Sequence, residues 1–208
     1  MPVITVARQY GSLGDEIARD VSKRLGLRLV GQDIMSEVAQ RLGIPEGRLT
    51  VGDERDSGIV SELVRTMRNL YPATIAPAQA EHAIDVDESA LLQVMRQIIW
   101  EVARGNSAVI VGRGASFVLE SNPEVLHVLL VAPLQSRVER VMALENVTHQ
   151  QASQRVKSAD ASRARYIRHY YRTNWLDVAH YDLVPNTEHF SQLASTEIIC
   201  AAAAPGGS

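Results

Sequence analysis

The chain has 208 residues, 46% of them hydrophobic, a formal charge of −3 and one cysteine. Such length and apolar content suit a single compact domain and exclude a disordered or fibrous chain. The acidic balance argues against a general nucleic-acid or membrane surface, and the lone Cys200 excludes a disulfide framework and a cysteine-based metal site.

In chain order, PVITVA (2–7) is a short β-branched run that predicts a first strand. A glycine-bearing loop follows, and then a helix in which Ile17, Val21 and Leu25 recur at helical spacing and Gly26 marks the end. LRLVG (27–31) predicts a second strand, and DIMSEVAQRLG a second helix with Asp33 as its cap. Residues 44–83 are polar and rich in glycine and proline, and read as an excursion from the sheet, with a helix over 59–70. A long helix comes next, carrying Leu91, Val94, Met95, Ile98, Ile99 and Val102 on one face. The nearly continuous apolar runs SAVIVGRGA (107–115) and VLHVLLVAP (125–133) predict central parallel strands buried on both faces, each followed by a helix. A polar, basic segment (148–172), a last short strand YDLVPNT (181–187) and a C-terminal helix complete the chain before a frayed tail at 205–208. Strands alternating with helices predict an α/β fold of three αβα layers around five parallel strands. Ligands of such sheets bind at the carboxyl ends of the strands. With no stretch near the roughly 20 apolar residues of a membrane helix, and no basic, apolar leader, a cytoplasmic protein is expected.

Three segments at that end can carry chemistry. In RQYGSLGDEI (8–17), Gly11 and Gly14 between a strand and a helix suit an anion cradle, because glycine lets backbone N–H groups converge at the positive end of a helix. Only Gly14 matches the phosphate-loop pattern G-x-x-x-x-G-K-[ST]; Gln9, Asp15 and Glu16 stand at its other defined positions. An ordinary strand-to-helix turn, with Asp15 and Glu16 meeting the helix dipole, explains the same residues. Arg113, between Gly112 and Gly114, can fork onto a phosphate or carboxylate, or cap carbonyls at the sheet end. Between 137 and 172 the basic residues Arg137, Arg140, Arg155, Lys157, Arg163, Arg165, Arg168 and Arg172 face only Glu139, Glu145 and Asp160, a balance suited to a polyphosphate. RNA is the alternative anion, with Tyr166, Tyr170 and Tyr171 available to stack on bases. The histidines show no metal-ligand spacing, and no metal site is expected.

The loop ARQYGSLGDEIA, the segments VGQDIM, VIVGRGASFVL and VLHVLLVAPLQSRVERV, the spacing of Lys157, Asp160 and Arg163, and the closing YDLVPNT together resemble the cytidylate kinase-like family of P-loop nucleoside monophosphate kinases. The resemblance implies one kinase-like domain over 1–204, with a monophosphate-binding insert at 44–83 and a lid-like segment at 145–175. It implies transfer of a phosphoryl group from Mg²⁺-ATP to CMP, dCMP or a similar small acceptor. A catalytically inactive nucleotide- or anion-binding regulator is the alternative. By the same resemblance Arg8, Gly11, Ser12, Leu13, Gly14, Asp15 and Glu16 line the ATP phosphates. Asp33, Arg113, Lys157 and Asp160 face the acceptor, and Arg113, Arg137, Arg140, Arg155 and Arg163 act on the transferred group. The implied partners are a nucleotide and a small acceptor, with no membrane, nucleic acid disfavoured and a homodimer allowed. The chain departs from the family pattern at Asp15, where a lysine is usual, at Leu13, where a glycine is usual, and at Gly114, where an aspartate is usual.

Overall fold

The structure, a computed structural model, describes residues 2–31, 33–43, 88–105 and 107–204. The expected insert at 44–83, the helix at 59–70 and the tail at 205–208 lie outside the described residues. The chain divides into two compact units, Met1–Gly31 with Val102–Ser208, and Gln32–Glu101.

In the first unit β1 (Val3–Arg8) leads into α1 (Gly14–Leu25) and then β2 (Arg28–Val30). After α3 (Glu88–Arg104), which starts in the second unit, come β3 (Ala108–Val111), the single turn α4 (Ala115–Val118) and β4 (Val125–Leu130). The helices α5 (Leu134–Glu145), α6 (His149–Tyr171) and α7 (Gln192–Ala202) follow. The described strands form a four-stranded parallel sheet in the order β2-β3-β1-β4.

The strand period of two explains how both faces of this sheet are filled. Ile4, Val6, Val109, Val111, Val128 and Leu130 form one cluster with Ile17, Ala18 and Val21 of α1 and Ile199 of α7. Leu129, one residue out of phase, packs instead with Ile167 of α6, Trp175 and Tyr181. Each fully buried side chain of this size contributes about 1.5–3 kcal/mol of transfer free energy. The helix α1 ends at Gly26, whose left-handed φ of 65° lets its N–H reach back to the last turn. The 23-residue α6 starts with a capping box between Thr148 and Gln151 and buries Ala152, Val156, Ala159 and Ile167 along one face.

A fifth strand over 181–187 does not form. That segment runs beside β4 with Leu129 N–H donating to the Leu183 carbonyl, Val131 to Pro185 and Thr187 to Val131. The parallel repeat calls for residue 185 to donate to Leu129, and Pro185 has no N–H. What remains is a pair of isolated bridges, Val128 with Leu183 and Val131 with Asn186.

In the second unit, α2 (Asp33–Arg41) buries Ile34, Val38 and Ala39, and α3 buries Leu91, Met95, Ile98 and Ile99. Arg41 of α2 forks onto Glu101 of α3 at 3.0 and 2.7 Å. No described helix is long and apolar enough to cross a membrane.

A polar group interrupts the second face of the sheet. Thr5 Oγ1 lies 2.9 Å from Ser116 Oγ and 2.7 Å from His127 Nδ1. Burial lowers the His127 pKa, with the nearby Asp182 opposing the shift in part. The folded state therefore prefers the neutral imidazole, and its contribution is fully present above the ordinary histidine pKa of about 6.5 and lost as pH falls through the lower folded value. Urea unfolding should show stability falling with acidity in that window, and His127→Gln should flatten the dependence.

Candidate functional site

The carboxyl ends of β1, β3 and β4 carry the candidate residues. At the first, the chain leaves β1 at Arg8 and turns through Gln9 to Leu13 into α1. Gly11 has φ 79° and Leu13 φ 61°, so two residues of this short loop occupy the left-handed region. Leucine there is strained, and the packing of its side chain against the Ile4, Val6 and Ile17 cluster offsets the cost. Leu13 is also the N-cap residue of α1 and offers no side-chain acceptor, so the amides that open the helix are left uncapped by it.

Asp15 is half exposed at 52% and accepts from the Arg8 guanidinium, Nε at 3.2 Å and Nη2 at 3.0 Å. Arg8 is buried, and its stem runs against Gly14: a Cβ on Gly14 would lie 2.4 Å from both Arg8 Cβ and Cγ. Only glycine lets the helix start so close to that stem. The carboxylate in the lysine's place is thus matched by a guanidinium one residue before the loop. Ser12 is fully buried, and its hydroxyl donates to the Gln9 carbonyl at 2.8 Å. Glu16 is half-buried in the first turn of α1.

Four of the expected arginines gather around the same loop. Arg137 of α5, nearly buried, donates to the carbonyls of Ala132 (2.9 Å) and Tyr10 (3.1 Å) and to Asp160 (2.6 Å). Arg140, one turn on, reaches the Gly11 carbonyl at 3.4 Å and Thr187 at 2.9 and 2.7 Å. From α6, Arg163 pairs with Asp160 at 3.4 Å and lies 5.9 Å from the Tyr10 ring centroid. Arg155 pairs with Glu145, which also accepts from the Tyr10 hydroxyl at 2.5 Å. Burial, with that carboxylate adding, raises the Tyr10 pKa well above the ordinary phenol value.

Arg113 stands apart from this group. It has φ 58° between Gly112 (φ 72°) and Gly114 (φ 69°), three consecutive left-handed residues that turn β3 into α4. Its Nε reaches the Gly31 carbonyl at the end of β2 at 3.4 Å, and its carbonyl accepts from Tyr166. A Cβ at Gly114 would lie 2.8 Å from the Tyr171 ring, which explains glycine at this position. Tyr166 and Tyr171 are committed to that packing, along with Phe117. Lys157 is exposed on α6, and Asp33 opens α2 in the second unit.

The contacts also bring in Gln9, Tyr10, Glu145 and Thr187, to which sequence assigns no role. Gln9 accepts from the Ala132 N–H with its side-chain oxygen. A tyrosine inside a glycine loop is the one signal among these; the others are ordinary polar residues until the fold sets them beside the loop.

The model of the cytidylate kinase-like family matches residues 3–189. The chain belongs to that family. Among curated proteins, a cytidylate kinase of Methanopyrus kandleri is 29% identical over 113 residues, covering 50% of this chain and 58% of the relative, so the chain matches little more than half of that protein's length. Among solved structures, an uncharacterized protein from Eubacterium ventriosum aligns with TM-score 0.69 and 18% identity over 98% of both chains. A shikimate kinase from Bacteroides thetaiotaomicron aligns with TM-score 0.52 and 13% identity over 95% of this chain and 96% of that one. At these identities the two structures establish the fold: each shares a parallel α/β framework with this chain.

Among the described residues, no group of three His, Cys, Asp or Glu side chains could hold a metal ion. The uncapped start of α1 beside Arg8 has the donors that a phosphate needs, N–H groups at a positive helix end and a guanidinium; the carboxylates of Asp15 and Glu16 in the first turn oppose them.

Proposed function

We propose that this protein transfers the terminal phosphoryl group of ATP to a small acceptor of the nucleoside monophosphate class, with CMP or dCMP first in line. The observation that carries the reading is the uncapped helix start after the central strand β1, ringed by arginines, in a chain matched by the cytidylate kinase-like family from residue 3 to 189.

In this reading the amides from Leu13 to Glu16 hold the ATP phosphates, and Arg8 offsets part of the acidic charge at the helix start by pairing with Asp15. Arg140, Arg155 and Arg163 neutralise the transferring group from the α5 and α6 side, and Arg113 orients the acceptor phosphate. An oxygen of that phosphate bonds to the γ-phosphorus while the bond to the ADP oxygen breaks, and no proton need move when the acceptor is a dianion. Such a transfer is driven by positioning and charge neutralisation, which guanidinium groups and amides supply. Mg²⁺, which neutralises phosphate charge in reactions of this class, would be held mainly by the nucleotide, since the Ser12 hydroxyl of the loop is engaged as a donor to the Gln9 carbonyl.

Coupled measurement of ADP release over a panel of nucleoside monophosphates tests this. Acceptor-dependent release with CMP or dCMP is the expected result. No release with any acceptor, together with thermal stabilisation by ADP, would replace the kinase with the nucleotide-binding relative.

A further inference from the structure

The side chains that surround the β1–α1 loop hold its backbone in a closed circuit. Asp160 Oδ1 accepts the Tyr10 N–H at 3.1 Å, and Asp160 Oδ2 accepts Arg137 at 2.6 Å. The same Arg137 Nη1 donates to the Tyr10 carbonyl at 3.1 Å. Both backbone polar groups of one residue are therefore bracketed by one ion pair, whose side chains are 6% and 20% exposed. The next carbonyl, of Gly11, is held by Arg140.

We propose that Asp160 is a positioning residue for the phosphate loop, fixing the Tyr10 backbone directly and through Arg137, rather than a contact for the acceptor. This rests on the reading of 11–16 as a phosphate loop. A phosphate-binding turn works only when its peptide planes are fixed before the ligand arrives, because each plane left free must be ordered at the cost of affinity. Three planes are fixed here by partners outside the loop, through the Tyr10 N–H, the Tyr10 carbonyl and the Gly11 carbonyl, and Asp160 is the single residue of α6 that reaches the loop backbone among the described contacts. The carboxylate also keeps Arg137 paired. Without it a nearly buried guanidinium would retain only carbonyl acceptors, among them the Tyr10 carbonyl that it must orient.

The test uses the full chain as wild type, Asp160→Ala and Asp160→Asn. Amide hydrogen exchange reads the loop without reference to activity. Exchange at Tyr10 should accelerate about tenfold or more in Asp160→Ala while Ile4 and Val6 in β1 keep wild-type rates. Asp160→Asn should recover part of the protection, since its amide oxygen still accepts the Tyr10 N–H. ADP affinity by calorimetry should weaken about fivefold in Asp160→Ala, and in turnover the KM for ATP should rise by a similar factor with the acceptor KM unchanged. Unchanged Tyr10 exchange in both variants, or a rise in the acceptor KM alone, would overturn the proposal. If wild type gives no turnover, the kinase reading fails, and exchange with ADP binding still decides the role of Asp160.

Discussion

Replacing Gly11 with alanine should lower stability by about 3 kcal/mol and remove stabilisation by nucleotide. Two independent costs combine. At φ 79° a side chain meets the left-handed penalty of about 1–2 kcal/mol. The added Cβ would also lie 2.7 Å from the Arg137 backbone oxygen and 3.1 Å from Arg137 Cβ and Val141 Cγ2. Arg137 cannot step aside cheaply. It lies in the first turn of α5, its N–H bonded to the Pro133 carbonyl, and its guanidinium is committed to Ala132, Tyr10 and Asp160. The loop must move instead, which takes the Gly11 carbonyl from Arg140 and disturbs the Tyr10 backbone beside it. For a domain of this size 3 kcal/mol corresponds to a drop of about 6–12 °C in Tm. Gly26→Ala separates the two costs: φ is 65° there, and nothing lies within 4 Å of the added Cβ. It should cost only about 1 kcal/mol and leave nucleotide-dependent stabilisation intact. Thermal unfolding of both variants, with and without ADP, reads the difference. Equal losses in the two would mean that contact with α5 does not constrain the loop.

How far sequence reaches into this molecule follows from the range of the interaction involved. The runs 2–7, 107–115 and 125–133 place the starts of β1, β3 and β4 to within a residue, because strands buried on both faces must be apolar at nearly every position, but the last two run three or four residues past the strand ends at Val111 and Leu130. Gly26 closes α1 by a local rule that needs only one residue in the left-handed region. The run YDLVPNT has the composition of a strand, but Pro185 falls where the ladder needs a donor, and that depends on register against β4. The site divides along the same line. The loop at 8–16 is visible because glycines mark it, and the arginines are visible as an excess of charge. Their partners are not, since the pairing of Tyr10 with Asp160 joins residues 150 positions apart, and of Arg140 with Thr187 residues 47 apart. Asp15 is the instructive case. In sequence it is a charge of the wrong sign, and in the structure it is one half of a pair with Arg8.

That pair sets up a test in which stability and affinity move in opposite directions. Asp15→Asn should tighten ADP about thirtyfold while lowering stability of the free protein by about 1–2 kcal/mol. The gain comes from removing a negative charge beside the bound phosphates. At about 4 Å and an effective dielectric near 20, such a repulsion is worth about 4 kcal/mol, and solvent around a side chain 52% exposed reduces it to roughly half. The loss comes from Arg8, whose side chain is 4% exposed and would exchange a carboxylate for a neutral amide oxygen at this contact. Because the guanidinium already lies against the start of α1, phosphate can take over as its counterion, so ADP should stabilise Asp15→Asn by more than it stabilises wild type. The affinity gain should shrink as salt is raised, as screening between half-exposed charges requires. Calorimetric titration with ADP at two ionic strengths, alongside urea unfolding of the free proteins, gives both signs. Weaker binding in Asp15→Asn would mean that the Asp15 carboxylate does not face the phosphates, and the anion would then have to be sought away from the α1 amides.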